Sequence, residues 1–349
     1  MKYATILITG GAGFVGSTLA LYLKRMSSAE IICLDNLKRR GSELNISRLQ
    51  THGIQFIHGD IRCSEDLSDV SYDLMIECSA EPSVLAGVTT SPDYLLHTNL
   101  VGTLHCLESV RKNNADLIFL STSRVYPMKA INNQDYVEME TRFTPSSSSF
   151  GFSEQGITED FPLAGSRSLY GTTKLCSELV IQEYIETYGM SAVINRCGLL
   201  SGPYQMGKVD QGVVALWVLY HLLGKNLSYT GYGGKQVRDV LHIDDLCDLI
   251  WMQMQDLSLY NKHVFNVGGG LSNSVSLREL TEVCRQVTGC TLDVSCSEGR
   301  PNDLIWYVTD NSKITKVSGW KPKRTVHDTV SNIYEWIRAH EYELVRILG

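Results

Sequence analysis

The stretch with the clearest capacity for chemistry is Tyr170-Gly171-Thr172-Thr173-Lys174. The run from Ser168 to Tyr188 reads as a helix, and residues four apart on a helix lie one above the other. This spacing can hold an ammonium beside a phenol. A free tyrosine has a pKa of roughly 10 and is a poor base at neutral pH. A neighbouring cation favours the phenolate and lowers that value. A tyrosine tuned in this way can take the proton of a hydroxyl while hydride leaves the same carbon. Tyr-x-x-x-Lys also arises often by chance, and a solvated helix face is the plain alternative.

The N-terminus supplies a hydride acceptor for that chemistry. Thr5 to Thr9 is a short apolar run, read as a buried strand. Gly10-Gly11-Ala12-Gly13-Phe14-Val15-Gly16 follows, and then a helical run from Ser17 to Met26. Gly11, Gly13 and Gly16 fit GxGxxG; Gly10, Gly13 and Gly16 fit GxxGxxG. Strand, glycine loop and helix stand in the order that brings a pyrophosphate to a helix N-terminus. Glu30 to Asp35 reads as a second strand ending in an acid, about twenty residues on, where a carboxylate can accept from an adenosine ribose. A 2′-phosphate would be repelled there, which favours NAD over NADP; Lys38, Arg39 and Arg40 nearby weaken that preference slightly. A turn residue is the alternative for Asp35.

The strands that must position these groups follow. Ile54 to His58 is a third, with Asp60 placed either at an adenine edge or as a cap. Leu74 to Cys78 is a fourth, leading into Ser79-Ala80-Glu81 on the expected nicotinamide side. Asn99 to Arg111 looks like an amphipathic helix. Leu117 to Leu120 is a fifth strand, ending at Ser121-Thr122-Ser123-Arg124, where a hydroxyl points into the crevice at the carboxyl end of the sheet. Periodicity fails from Pro127 to Arg167, read as a long substrate-side insertion, with a functionless loop as the alternative. Ala192 to Arg196 is the sixth strand. Strands alternating with helices imply an α/β, Rossmann-type, doubly wound parallel sheet. The expected division is residues 1–196 as the dinucleotide-binding domain, with the insertion at about 127–167, and 197–349 as mainly a smaller α/β substrate lobe, some of whose segments return to the first domain. In that second part Val213 to Leu223 is an apolar helix, His263 to Gly269 a strand and turn, Ser276 and Glu279 a capping box, and His327 to Leu348 a closing helical stretch.

The 349 residues carry a net charge of −7, which argues against nucleic acid or an anionic membrane as partner. No apolar run reaches the roughly 18 residues a membrane span needs. The chain runs from Met1 straight into a strand, so no signal peptide is expected and the location is expected to be cytoplasmic. The ten cysteines are scattered without metal-like spacing, so buried reduced thiols are expected and no metal site is assigned.

With Gly10 to Gly16, Asp35, Thr122, Tyr170 and Lys174 in one chain, the sequence resembles, essentially end to end, the extended short-chain dehydrogenase/reductases that act on nucleotide sugars. Within them it looks most like the CDP-paratose (CDP-tyvelose) 2-epimerases. The residues behind that closer resemblance are Glu140-Thr141-Arg142-Phe143-Thr144, Gly151-Phe152-Ser153-Glu154, Asp210-Gln211-Gly212, Gly234 to His242 and Phe265 to Gly269. The resemblance implies an NAD-dependent epimerase that oxidises a sugar carbon to a transient ketone and returns the hydride. A 4-epimerase and a net oxidoreductase are the alternatives within the family; a non-catalytic NAD sensor on the same fold and a structural or scaffold protein are the alternatives without catalysis. It implies Thr122 as the hydroxyl on the reacting sugar oxygen, Tyr170 as base and Lys174 as its partner. Cofactor contacts are implied at Gly10, Gly13, Phe14, Val15, Asp35, Asn36, Asp60, Ile61, Ser79, Ala80, Asn99, Tyr170, Lys174 and Cys197. Substrate contacts are implied at Glu81, Ser123, Arg124, Gln211, Arg238 and Arg300, the two last on the diphosphate; for Arg238 an ion pair with Asp239 is the plain alternative. A homodimer through the Asn99 and Tyr170 helices is implied, with the site in a cleft between the domains. The departures are informative. Ser123-Arg124 stands where 4,6-dehydratases have Asp-Glu and decarboxylases Ser-Glu, so those chemistries are disfavoured; the 2-epimerases tend to have Asn-Lys.

Overall fold

A computed structural model describes residues 2–206, 212–299 and 303–348, the last four of them without side-chain detail. The chain forms two compact units, each built from separate stretches. The first comprises Met1–Val125, Leu169–Arg196 and Leu246–Phe265; the second comprises Tyr126–Ser168, Cys197–Asp245 and Asn266–Gly349.

A seven-stranded parallel sheet runs through the first unit, with helices flanking it. Its strands are β1 (Thr5–Thr9), β2 (Glu30–Asp35), β3 (Gln55–His58), β4 (Leu74–Glu77), β5 (Asp116–Thr122), β6 (Ala192–Cys197) and β7 (Val264–Val267). Their spatial order is β7-β6-β5-β4-β1-β2-β3, so the order reverses between β1 and β4, the topological switch point at which such sheets bind ligands. The continuous apolar runs of β1 (Ile6, Leu7, Ile8) and β4 (Leu74, Met75, Ile76) follow from burial on both faces. Three helices matter for the site: α1 (Phe14–Met26), α2 (Gly102–Asn113) and α3 (Leu169–Tyr188).

The sequence pattern placed β7 with the second part of the chain. The structure makes it the edge strand of the parallel sheet, hydrogen-bonded beside β6. The helix expected from Asn99 is longer. It begins at Asp93 and passes through a π-turn at His97–Val101 before α2. A π-turn shifts the 3.6-residue apolar stripe, which is why the periodicity starts late; such turns often mark functional positions.

In the second unit the stretch from Pro127 to Arg167 is not structureless. It holds a short helix, Met128–Asn132, and two small antiparallel hairpins, Tyr136–Glu138 with Phe143–Pro145 and Phe152–Ser153 with Gly156–Ile157. Strands of two or three residues are too short to leave a period. The main sheet of this unit sets Val237–His242 beside Leu199–Ser201, Ser274–Ser276 and Trp306–Tyr307. The helices Val213–Leu223 and Val326–Ala339 pack around its own core, which includes Trp217, Leu280, Ile333 and Trp336. The capping box of Ser276 and Glu279 forms as expected. All ten cysteines are free thiols, but Cys63 and Cys296 are exposed rather than buried. Among the described residues no helix is long and apolar enough to cross a membrane.

Candidate active site

The glycine loop between β1 and α1 closes on itself. Gly13 N donates to Gly10 O at 3.0 Å and Gly11 N to Leu34 O at 3.1 Å. Gly10 takes φ of 66°, in the left-handed region that favours glycine. A Cβ at Gly16 would stand 2.3 Å from Gly10 O, and one at Gly11 would stand 2.4 Å from the Cys33 Cβ. Helix α1 then starts at Phe14 and Val15 with no side-chain cap on Gly13 and no acid in its first turn. First-turn N–H groups without a side-chain cap, behind a loop whose one side chain is the buried methyl of Ala12, fit a dinucleotide pyrophosphate. Gly16→Ala is therefore expected to cost about 1–3 kcal/mol through overpacking, and to lower the NAD content; thermal unfolding and the cofactor released on denaturation check it.

Asp35 stands at the end of β2, half-buried. Its carboxylate accepts from Ala12 N (3.1 Å) and Leu37 N (2.8 Å), so the acid braces the loop. Burial pushes its pKa up, and the backbone N–H groups oppose that. At Asp60 burial also pushes up, but the Arg62 guanidinium (2.6 Å), the Arg62 N–H and the Asn36 amide (3.0 Å) outweigh it and hold the acid at about 2. Asn36 and Asp60 are thus brought together. Ile61 is buried, and its carbonyl lies 2.9 Å from the His105 ring. Lys38 stands over the Tyr94 ring, as does Arg62 from 4.8 Å.

Ser79, Ala80 and Glu81 follow the tip of β4. Asn99, in the π-turn, holds this segment: its Oδ1 accepts from Glu81 N at 2.7 Å and its Nδ2 donates to Glu81 O at 3.0 Å. The same Nδ2 donates to Thr173 Oγ1 at 3.3 Å, and Ser177 Oγ donates to Asn99 O at 2.9 Å. One asparagine therefore ties the β4 tip to helix α3.

Tyr170 and Lys174 stand one turn apart on α3. Tyr170 is half-buried at its start; Lys174 is 1% exposed, with Nζ 3.9 Å from the centre of the Phe119 ring. A buried ammonium on an aromatic face stays attracted to the ring while its field acts over short range undiminished by water. Thr122 is the last residue of β5, and its oxygen accepts from Arg124 N at 3.2 Å, which leaves its own proton for donation. Ser123 and Arg124 form the short turn that follows. Cys197 is buried at the end of β6.

Two groups of residues escaped the sequence pattern. Ser121 donates to Glu178, and Arg196 on β6 grips the same carboxylate with Nε (3.0 Å) and Nη2 (2.7 Å). This pair is 5% and 1% exposed. The signal was an acid one turn beyond Lys174 on the buried side of the helix. The second is Glu77, a fully buried acid in an apolar strand.

In the second unit Arg238 does not pair with Asp239. Neighbours on a strand point to opposite faces. Arg238 reaches Asp303 Oδ1 (2.8 Å), Leu304 O (2.8 Å) and Val237 O (2.7 Å), while the buried Asp239 accepts from Gly270 N at 3.0 Å. Gln211 and Arg300 lie outside the described residues.

The model of the family described as "NAD dependent epimerase/dehydratase family" matches residues 6–268. A CDP-paratose 2-epimerase from Salmonella typhi is 32% identical over 342 residues, covering 95% of this chain and 98% of that protein. The structure of a UDP-glucose 4-epimerase with UDP-glucose from Thermotoga maritima superposes with a TM-score of 0.80 at 25% identity, covering 97% of this chain and 99% of that one. A dTDP-glucose 4,6-dehydratase from Streptomyces venezuelae, solved with NAD bound, gives 0.79 at 27% identity, with 97% and 98% covered. With a matched model over three quarters of its length and a relative above 30% identity along nearly all of it, the chain belongs to the NAD-dependent epimerase/dehydratase family.

Proposed function

We propose that the protein epimerises one hydroxyl-bearing carbon of a nucleotide-linked hexose, with C2 of a CDP-deoxyhexose as the first candidate. The observation that carries this reading is the pairing of half-buried Tyr170 with the sealed ammonium of Lys174, one turn away on α3. Tyr170 takes the proton of the sugar hydroxyl, and Lys174 stabilises the phenolate. Thr122 donates a hydrogen bond to the reacting oxygen. NAD, when bound, accepts the hydride and returns it. Gly10, Gly13, Phe14 and Val15 would hold its pyrophosphate, Asp35, Asn36, Asp60 and Ile61 its adenosine, and Ser79, Ala80, Asn99, Lys174 and Cys197 its nicotinamide half. Between the two hydride steps the keto sugar must turn over, and Tyr170 then gives the proton back. Glu81, Ser123, Arg124 and Gln211 are the proposed sugar contacts, and Arg238 and Arg300 the proposed diphosphate contacts, a task that suits the guanidinium group. Neither Ser123 nor Arg124 is a carboxylate, which disfavours elimination of water by an acid and base at these positions.

The relative named a CDP-paratose 2-epimerase supports C2 of a CDP sugar. A second reading, a 4-epimerase, is favoured by relatives such as a UDP-glucose 4-epimerase from Halalkalibacterium halodurans at 26% identity. Incubation with CDP-paratose in deuterated water, followed by NMR of the sugar, separates them. Inversion at C2 without solvent deuterium is expected. Deuterium at the inverted carbon would mean proton abstraction from carbon and overturn the mechanism. No reaction with CDP-paratose, but inversion of a UDP-hexose at C4, would establish the second reading.

A homodimer through α2 and α3 belongs to the same proposal, supported by Leu179 and Tyr188 exposed on α3. Light scattering of the purified chain is expected to give twice the monomer mass, and a monomer would end that part. Ten free thiols suit the reducing cytoplasm proposed as its location; fractionation that recovers the protein outside it would reject this.

A further inference from the structure

Glu77 is the one fully buried acid of β4, and the chemistry above does not use it. In the sheet register it stands opposite Thr9 of β1 and Phe119 of β5. Residues in register share a face, and neighbouring strands lie about 4.8 Å apart. Lys174 Nζ rests on the ring of that same Phe119. The carboxyl of Glu77 and the ammonium of Lys174 therefore lie on one side of the sheet, under α2 and α3. The titratable groups facing Glu77 are Lys174 from α3, Cys106 from α2 and Tyr72 ahead of β4.

The hydrogen count around Glu77 is decisive. Thr103 Oγ1 lies 2.6 Å from Glu77 Oε1 and 3.0 Å from Asn99 O. A threonine has a single hydroxyl proton. If Glu77 were ionised, that one proton would have to serve both acceptors. Both contacts are full hydrogen bonds only when Glu77 carries a proton and donates it to Thr103, which then donates to Asn99 O. Glu77 Oε2 is sealed from solvent and has no hydrogen-bond partner among the described residues, nor has Thr9 Oγ1 across from it. A bare carboxylate oxygen in a dry interior is far costlier than the bare carbonyl of a carboxylic acid. Burial pushes the Glu77 carboxyl up, against the opposing pull of Lys174 and of the Thr103 hydroxyl.

We propose that Glu77 is a positioning residue that works as a neutral acid. Its proton goes to Thr103, the Thr103 proton goes to the Asn99 carbonyl, and Glu77 adds no negative charge beside Lys174. This inference rests on the proposed roles of Tyr170 and Lys174. The chain of donors pins the π-turn whose Asn99 side chain bridges the β4 tip and α3. An ionised Glu77 would do the opposite on both counts. It would compete with Asn99 for the Thr103 proton. It would also set a negative charge beside Lys174 and raise the pKa of Tyr170.

Infrared spectroscopy of the NAD-loaded protein tests the protonation state without any assay of turnover. The difference spectrum between the wild type and Glu77→Gln at pH 7 is expected to contain the carbonyl stretch of a protonated carboxylic acid, moving in deuterated water. A difference that contains only carboxylate bands overturns the neutral-acid assignment. The positioning role is read from kinetics. Glu77→Gln keeps an N–H donor for Thr103, so kcat at pH 7 is expected to stay within about threefold of the wild type. Glu77→Leu has similar bulk but no donor, and is expected to lower kcat about tenfold with KM unchanged. Should Glu77→Leu fail to fold, Thr103→Val cuts the same chain from the other side and is expected to give the same kcat loss. Equal activity of the donor-keeping and donor-lacking variants overturns the role. So does a Glu77→Gln variant whose acid limb in the pH profile moves down by about one unit, since that is the mark of a lost negative charge. If the wild type itself turns over no nucleotide sugar, the functional reading fails, and the infrared band still decides the state of Glu77.

Discussion

Tyr170→Phe is expected to lower kcat by about 10²–10⁴-fold while the protein keeps its bound NAD, because general acid–base groups contribute on that scale. The substitution removes one oxygen and leaves the ring. Tyr170 sits at the first turn of α3, half-buried, so the phenylalanine meets no new cavity and the helix keeps its start. What vanishes is the group proposed to receive the hydroxyl proton. The Lys174 ammonium remains sealed on the Phe119 ring, and the glycine loop and Asp35 are untouched. The measurement pairs the rate of epimerisation with the cofactor recovered from denatured protein. Substantial activity in this variant would remove Tyr170 from the role of base. Loss of activity together with loss of NAD would instead mean that the hydroxyl serves mainly to hold the cofactor. Lys174→Met is a useful companion. Its field, not its proton, is what the mechanism asks for, so the variant should need higher pH to reach its maximum rate.

The parts of this site that could be read in the chain are those fixed by local chemistry. Gly10 to Gly16 must be glycine-rich because neighbouring backbone leaves no room for Cβ atoms, and a strand before and a helix after it are visible in the apolar pattern. Tyr170 and Lys174 declare themselves by helical spacing. Ser276 and Glu279 form the capping box because both partners lie within one turn. The parts that could not be read depend on pairing across distance. β7 looks like any short strand, and only its hydrogen bonding beside β6 puts it in the parallel sheet. Arg238 and Asp303 are 65 residues apart, and nothing local distinguishes that partner from Asp239. The π-turn at His97–Val101 displaces the apolar stripe just where Asn99 is needed. Glu77 and Thr103 likewise belong to different elements, so their hydrogen bond has no signature in either segment.

The largest expected effect on stability comes from the buried ion pair of Arg196 and Glu178. Arg196→Met should cost about 3–5 kcal/mol, because it leaves the Glu178 carboxylate buried without its partner. Glu178 is gripped by Arg196 through two nitrogens and accepts from Ser121, and neither member of the pair reaches solvent appreciably. Denaturant unfolding of the wild type and the variant measures the cost. A loss below about 1 kcal/mol would mean that water reaches the carboxylate, as it does at exposed pairs. The double variant Glu178→Leu/Arg196→Met removes both charges and should recover most of the lost stability, since well-packed apolar replacements of buried pairs are often neutral. Its turnover is the more telling number. Glu178 stands one turn beyond Lys174 on α3, and Ser121 is the neighbour of Thr122 on β5, so this network fastens the helix of Tyr170 to the strand of Thr122. If the double variant is as stable as the wild type but slower in kcat with KM unchanged, the pair serves alignment rather than stability. An apolar contact can fill the same volume, but it cannot fix the helix along its axis as two directed hydrogen bonds from a guanidinium do.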